Sequence, residues 1–115
     1  MHVTRLYTGE DNESHFEDID IPLPYEEPIG RLSDPIPVKN LIFRETSESY
    51  NYEWHNAPRR QFIIMLGDVE IEVGDGTKRI LHAGDILLVE DTTGRGHISR
   101  AVNRKSRRSV FITLE

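Results

Sequence analysis

The chain contains no cysteine. It therefore has no disulfide frame, no thiol nucleophile and no zinc–thiolate centre, and any bound metal must take imidazole, amide or carboxylate ligands. Long apolar runs are also missing: none approaches the roughly 20 residues of a membrane span, and the opening Met1-His2-Val3-Thr4-Arg5 does not lead into a signal-peptide core. The expectation is a cytoplasmic protein with no membrane partner. Basic residues are outnumbered 14 to 20, for a net charge of -6. That balance argues against a nucleic-acid partner, because such affinity rests largely on phosphate neutralisation by a basic face. The one contrary cluster, Arg104-Lys105-Ser106-Arg107-Arg108, reads as a solvated hairpin turn. No Gly-rich phosphate loop, nucleophile elbow or metalloprotease pattern is present. With 115 residues and 37% hydrophobic content, the chain can supply one modest core and hence one domain.

Proline is scarce outside one segment: five of the six prolines fall within residues 21–37, IPLPYEEPIGRLSDPIP. Proline fixes φ and removes a ladder donor, so this segment should be an extended, irregular arm rather than a central strand. Its Ile, Leu and Tyr residues want a surface to cover, on the outside or mouth of the domain or on a partner subunit. Before it, Val3 to Tyr7 suggests a strand or strap, and the acidic stretch Gly9 to Asp20 a loop.

From Val38 onward the pattern changes to short runs rich in Ile, Val and Leu. FIIML, VEIEV, KRIL and DILLV are punctuated by Gly67-Asp68, Gly74-Asp75-Gly76 and Gly84-Asp85, the turn chemistry of an antiparallel sheet. VEIEV alternates strictly, so Val69, Ile71 and Val73 share one face while Glu70 and Glu72 share the other. SYNYEWH also alternates, with Tyr50, Tyr52 and Trp54 on one face and Asn51, Glu53 and His55 on the other. In the next run Gln61, Ile63 and Met65 share a face. ISRAV and SVFITL follow His97 and close the sheet.

The stretch Trp54 to His97 resembles the cupin family of small β-barrels. His55, Ala57, Gln61 and Gly67 fall in the register of that family's first motif, with Ala57 in the second His place and Gln61 in the Glu place. Gly84-Asp85 opens the second motif and Gly94-Arg95-Gly96-His97 closes it, without the usual Pro and with Ala101 where Asn is expected. The resemblance covers about residues 41–113 and implies an all-β fold, a single antiparallel barrel of jelly-roll type over residues 38–115, with residues 1–37 as an N-terminal strand and arm of the same domain. It also implies a homodimer, since cupins are commonly dimeric.

The resemblance places His55, Gln61 and His97 as a metal set: two neutral imidazoles and an amide oxygen, suited to Mn, Fe, Ni or Zn. Three protein ligands leave positions open for Lewis-acid work on a carbonyl or hydroxyl. Glu53, beside His55, is the candidate general base or substitute ligand. Arg59, if the phase of Gln61 extends back, points inward as a fork for a carboxylate, with Arg60 facing solvent. Tyr52 is a candidate substrate contact, although a packing role is the plainer reading. Glu90 and Asp91 precede the loop Thr92-Thr93-Gly94-Arg95-Gly96, a candidate rim over the site. His2, His15 and His82 read as surface residues. Two functions remain: a divalent-metal-dependent enzyme on a small polar or acidic molecule, of isomerase, lyase or oxygenase type, or a metal-free small-ligand binding or sensor module with a degenerate metal site. Fold does not choose between them.

Overall fold

The alternating runs of the second half fold as strands, as their period of two requires. A computed structural model describes residues 1–115 as an all-β chain without helices. The twelve strands are β1 (His2–Thr8), β2 (Ser14–Asp20), β3 (Tyr25–Glu27), β4 (Gly30–Leu32), β5 (Val38–Thr46), β6 (Asn51–His55), β7 (Gln61–Met65), β8 (Val69–Glu72), β9 (Lys78–Leu81), β10 (Ile86–Glu90), β11 (His97–Ala101) and β12 (Arg107–Leu114). No helix is long and apolar enough to cross a membrane.

Two sheets carry the domain. One has six strands in the order β2-β1-β10-β7-β12-β5 and the other four in the order β6-β11-β8-β9, with β3-β4 a separate hairpin. No strand of one large sheet pairs with a strand of the other. The expected closed barrel is therefore replaced by a two-sheet sandwich whose backbone ladders stay open at β2, β5, β6 and β9. The ladder is also not wholly antiparallel: β1 runs parallel to β10, with Leu6 opposite Val89.

The core forms where the inward faces of the two sheets meet. From the six-stranded sheet come Leu6, Ile63, Met65, Leu87 and Val89, and from the other Val69, Ile71 and Leu81, with Phe16 and Phe111 packed against them. Leu6 is fully buried, so the N-terminal strand is part of the core, and truncating such a side chain to Ala typically costs about 2–5 kcal/mol.

Two N-terminal expectations are corrected. Gly9 to Asp20 is not a loop, because a tight turn in which the Gly9 N–H donates to the Glu13 carbonyl at 2.8 Å brings β2 antiparallel to β1. Its charges, Glu17, Asp18 and Asp20, lie on the exposed edge of the sheet, where charge discourages further strand pairing. The Pro-rich segment is not a plain extended arm either. Pro22, Pro24, Pro35 and Pro37 flank the β3-β4 hairpin and Pro28 lies in its turn. Every residue of that hairpin is exposed, with Ile29 at the turn 84% so, and it adds nothing to the core.

Candidate ligand site

Between the sheets lies a cavity of about 360 Å³, near the low end of the roughly 300–1,000 Å³ usual for small-ligand sites. Its floor is apolar, drawn from Ile63, Met65, Val69, Ile71, Leu87 and Phe111. Its polar lining comes from two groups of side chains.

The first group stands on β6, β7 and β11. His97 pairs with His55 and Ser99 with Tyr52 across the β11–β6 ladder, so three steps along β6 match two along β11. This β-bulge inverts the alternation expected from SYNYEWH. Tyr52 and His55 consequently share the inward side; their rings stack at 3.6 Å with 14° between planes, and both line the cavity. Glu53 does not line it. Its side chain is solvent-exposed and accepts a hydrogen bond from the Asn51 amide at 3.3 Å. The contribution of Glu53 to the site is its backbone carbonyl.

That carbonyl accepts the Nδ1–H of His55 at 2.6 Å. A carbonyl can only accept, so the His55 proton sits on Nδ1 and Nε2 keeps its lone pair. Burial, which favours the neutral imidazole, is the main cause that lowers the His55 pKa below its usual value, and it outweighs the opposing hydrogen bond to the Glu53 carbonyl. His97 is held likewise: its Nδ1–H donates to the Asp91 carboxylate at 2.5 Å. Asp91 is wholly buried and also accepts from the Ser14 hydroxyl at 2.8 Å. The two imidazoles lie with ring centroids 4.5 Å apart, and neither Nε2 has a protein partner. Gln61, 5% exposed on β7, has a buried Oε1 with no partner.

Gly96 explains how His97 reaches this place. Its φ of +81° is open to glycine, and a Cβ there would collide with the His55 carbonyl, so β11 enters in close contact with the end of β6. The loop before it is fixed by side chains: Thr8 donates to the Thr93 carbonyl at 3.0 Å and Asn56 to the Gly94 carbonyl at 3.2 Å.

The second group was not legible as a site. Arg44 on β5 and Arg107 on β12 both line the cavity, as does Tyr50. Arg107 is 5% exposed, which corrects the reading of residues 104–108 as a wholly solvated turn. Only Asn103 and Arg104, with φ of 53° and 54°, form the turn. Burial is the main cause pulling both guanidiniums below their usual pKa, and repulsion from Arg107 adds to it for Arg44. Arg59 lines the cavity from its rim as an exposed residue, while Arg60 pairs with Glu90 at 2.5 Å.

No family model and no curated protein matches the sequence. Among solved structures, the fold is similar to that of protein NMB1881 from Neisseria meningitidis, with 19% identity, a TM-score of 0.51, and 71% of this chain and 84% of that one covered. The fold is cupin-like. A second structure, a putative ethanolamine utilization protein Q from Salmonella typhimurium LT2, aligns over 99% of this chain and 95% of its own, at 13% identity and a TM-score of 0.44. Likeness at such identities concerns the fold, and the chemistry of this cupin-like chain is argued from its own side chains.

Those side chains give a defined donor set. The Nε2 atoms of His55 and His97 and the orphaned Oε1 of Gln61 are ligand types that suit a divalent transition metal. No cluster of three or more His, Cys, Asp or Glu side chains is present: Ala57 stands in the second His place, and Asp91 bonds His97 and Ser14 through Oδ2. The three donors are neutral and share the cavity with the guanidiniums of Arg44, Arg107 and, at the rim, Arg59, so a dication fits this set when an anionic ligand completes it.

Proposed function

We propose that this cupin-like protein binds a small polar or acidic molecule in the inter-sheet cavity, with a divalent metal held by His55, Gln61 and His97 as part of the same site. One observation carries the reading: two imidazoles from different strands meet in the cavity with Nδ1 committed to Glu53 and Asp91, which leaves both Nε2 atoms free. Second partners of this kind are what orient metal-binding histidines. When bound, the metal would supply Lewis-acid polarisation of a ligand carbonyl or hydroxyl. The chain's own groups orient the ligand: Tyr52 and Arg59 at the mouth, and the apolar floor beneath. In an enzyme of isomerase, lyase or oxygenase type, Glu53 would not be the base, because its side chain is exposed and bonded to Asn51. The buried Asp91 carboxylate fixes the His97 tautomer, with the proton on Nδ1 and Nε2 left for the metal.

Elemental analysis of protein purified without added metal, followed by calorimetric titration of chelator-treated protein with Mn, Ni or Zn, tests this. The double variant H55A/H97A should lose metal binding and keep its β-sheet circular dichroism. Unchanged metal affinity in that variant would defeat the metal assignment. A metal-free binding or sensor module is the second reading, favoured by the absence of any anionic ligand in the set. It predicts that small acids bind equally well with chelator present.

A further inference from the structure

Arginines elsewhere in the chain show what a compensated guanidinium looks like here. Arg5, Arg60, Arg79, Arg95 and Arg100 each lie within 4.0 Å of a carboxylate. Arg31, Arg59, Arg104 and Arg108 lack such a partner and are exposed. Arg44 and Arg107 are neither paired nor exposed.

Their contacts are neutral. Arg107 donates through Nη1 to the Thr46 hydroxyl at 3.2 Å, and its Nε is buried with no partner. Arg44 donates through Nε to the Ser109 hydroxyl at 2.9 Å. The two cations share one aromatic neighbour: the Tyr50 ring centroid is 4.7 Å from the Arg107 guanidinium carbon and 5.9 Å from that of Arg44. Two like charges brought together out of water without a counter-ion are costly, and buried charges in proteins are normally paired. Folding has placed this pair in the cavity wall all the same.

We infer that Arg44 and Arg107 are the carboxylate-binding end of the cavity, and that the ligand is a small organic acid whose apolar body lies over Phe111, Met65 and Ile63. The inference rests on the cavity-binding reading above and adds the ligand's chemistry and its orientation. A planar carboxylate matches the fork geometry of guanidinium groups, and it supplies the charge that both arginines lack. Arg44 also stacks on Phe111 at 4.5 Å, so the anion site passes directly into the apolar floor. Tyr50 continues the wall in the other direction, through a 2.7 Å hydrogen bond to Ser99 on β11. On β11 Ser99 and His97 face the same side, two residues apart. The acid's far end is thereby directed toward the imidazoles. An inorganic anion, or a sugar phosphate with hydroxyls along its length, would leave the floor unused.

Calorimetric titration of chelator-treated protein with sodium benzoate, benzamide and inorganic phosphate tests the inference without metal. Benzoate should bind saturably, at least tenfold tighter than its neutral isostere benzamide and tighter than phosphate. R107Q and R44Q should each weaken benzoate at least tenfold. R44K, which keeps charge but loses the fork, should weaken it less than R44Q. Because the two substitutions to Gln remove uncompensated charge that is buried at Arg107 and half-buried at Arg44, melting temperatures should stay level or rise, which separates lost binding from lost fold. Benzamide binding as tightly as benzoate, phosphate binding more tightly than benzoate, or R107Q leaving benzoate affinity unchanged would each overturn the inference. Failure of benzoate to bind would do so too, while the metal titration of H55A/H97A would still decide the cavity-binding reading separately.

Discussion

Asp91→Ala tests whether the imidazole of His97 is held as described. The Asp91 carboxylate is wholly buried and accepts two hydrogen bonds, from His97 Nδ1 at 2.5 Å and from the Ser14 hydroxyl at 2.8 Å. Truncation leaves two buried donors without an acceptor, at about 1–3 kcal/mol each. Relief from desolvating the carboxylate itself offsets part of that sum. A net loss of about 3 kcal/mol is therefore expected, which in a domain of this size corresponds to roughly 12 °C in melting temperature. Urea denaturation followed by circular dichroism gives the free energy, and a thermal melt the shift. The same variant should bind metal about 10- to 100-fold more weakly, the usual effect of removing a partner that orients a ligating histidine. A melt within about 2 °C of the parent protein, together with unchanged metal affinity, would show that neither hydrogen bond contributes and would refute the reasoning.

Other outcomes follow from the same geometry. The A57H substitution, which restores an imidazole to a residue of the cavity lining, should raise metal affinity at least tenfold in calorimetric titration; no gain would show that position 57 does not face the donor set. Burial tends to raise the Glu90 pKa, but hydrogen bonds from Arg5 and Arg60 outweigh it and hold the carboxyl below its usual value. Its stabilising effect is therefore full above the unfolded-state carboxylate pKa and is lost as pH falls through the lower folded value. Denaturation measured from pH 6 to pH 2 should show a smaller loss of stability for E90Q than for the parent, and parallel curves would contradict this. Leu41 and Phe43 are 60% and 77% exposed on β5, whose outer edge is unpaired. We expect a homodimer through this edge, measured as a dimer mass by light scattering at micromolar concentration and converted to a monomer by F43E. A monomer mass for the parent protein would exclude it.

Much of the strand layout was legible, and its limits have physical causes. β7, β8 and β10 announce themselves because they bury apolar residues beside glycine turns. β2 does not, since it is an edge strand whose charges face water and whose pairing depends on β1. The parallel join of β1 to β10 links residues about 80 positions apart, and no local pattern encodes it. His55, Gln61 and His97 could be placed through motif register. Tyr52 and Glu53 were phased wrongly relative to His55, because a β-bulge leaves no mark in residue alternation. Arg107 was hidden by its own chemistry. On β12 the inward positions are Arg107, Ser109, Phe111 and Thr113, while Val110 and Ile112 face outward, so the usual rule of apolar side inward is inverted along a cavity wall. A polar row alternating with Val and Ile in the last strand was the one available signal. Asp91 was noticed only for its place before a loop, although a lone carboxylate at the end of the apolar run Ile86 to Val89 has few ways to be buried without a partner.

The central claim is that His55 and His97 present unprotonated Nε2 atoms to one cavity that takes a small acid and a metal. Long-range ¹H–¹⁵N correlation spectra of the imidazole rings, recorded at pH 7 while Zn and then benzoate are added, test it most directly. The account predicts Nδ1–H tautomers for both residues in the free protein and a concerted change at both Nε2 nuclei when Zn is added. His2, His15 and His82 should be unaffected at the same Zn concentration. Nε2–H tautomers at His55 and His97, or ring nitrogens that stay unmoved through the titration, would contradict it.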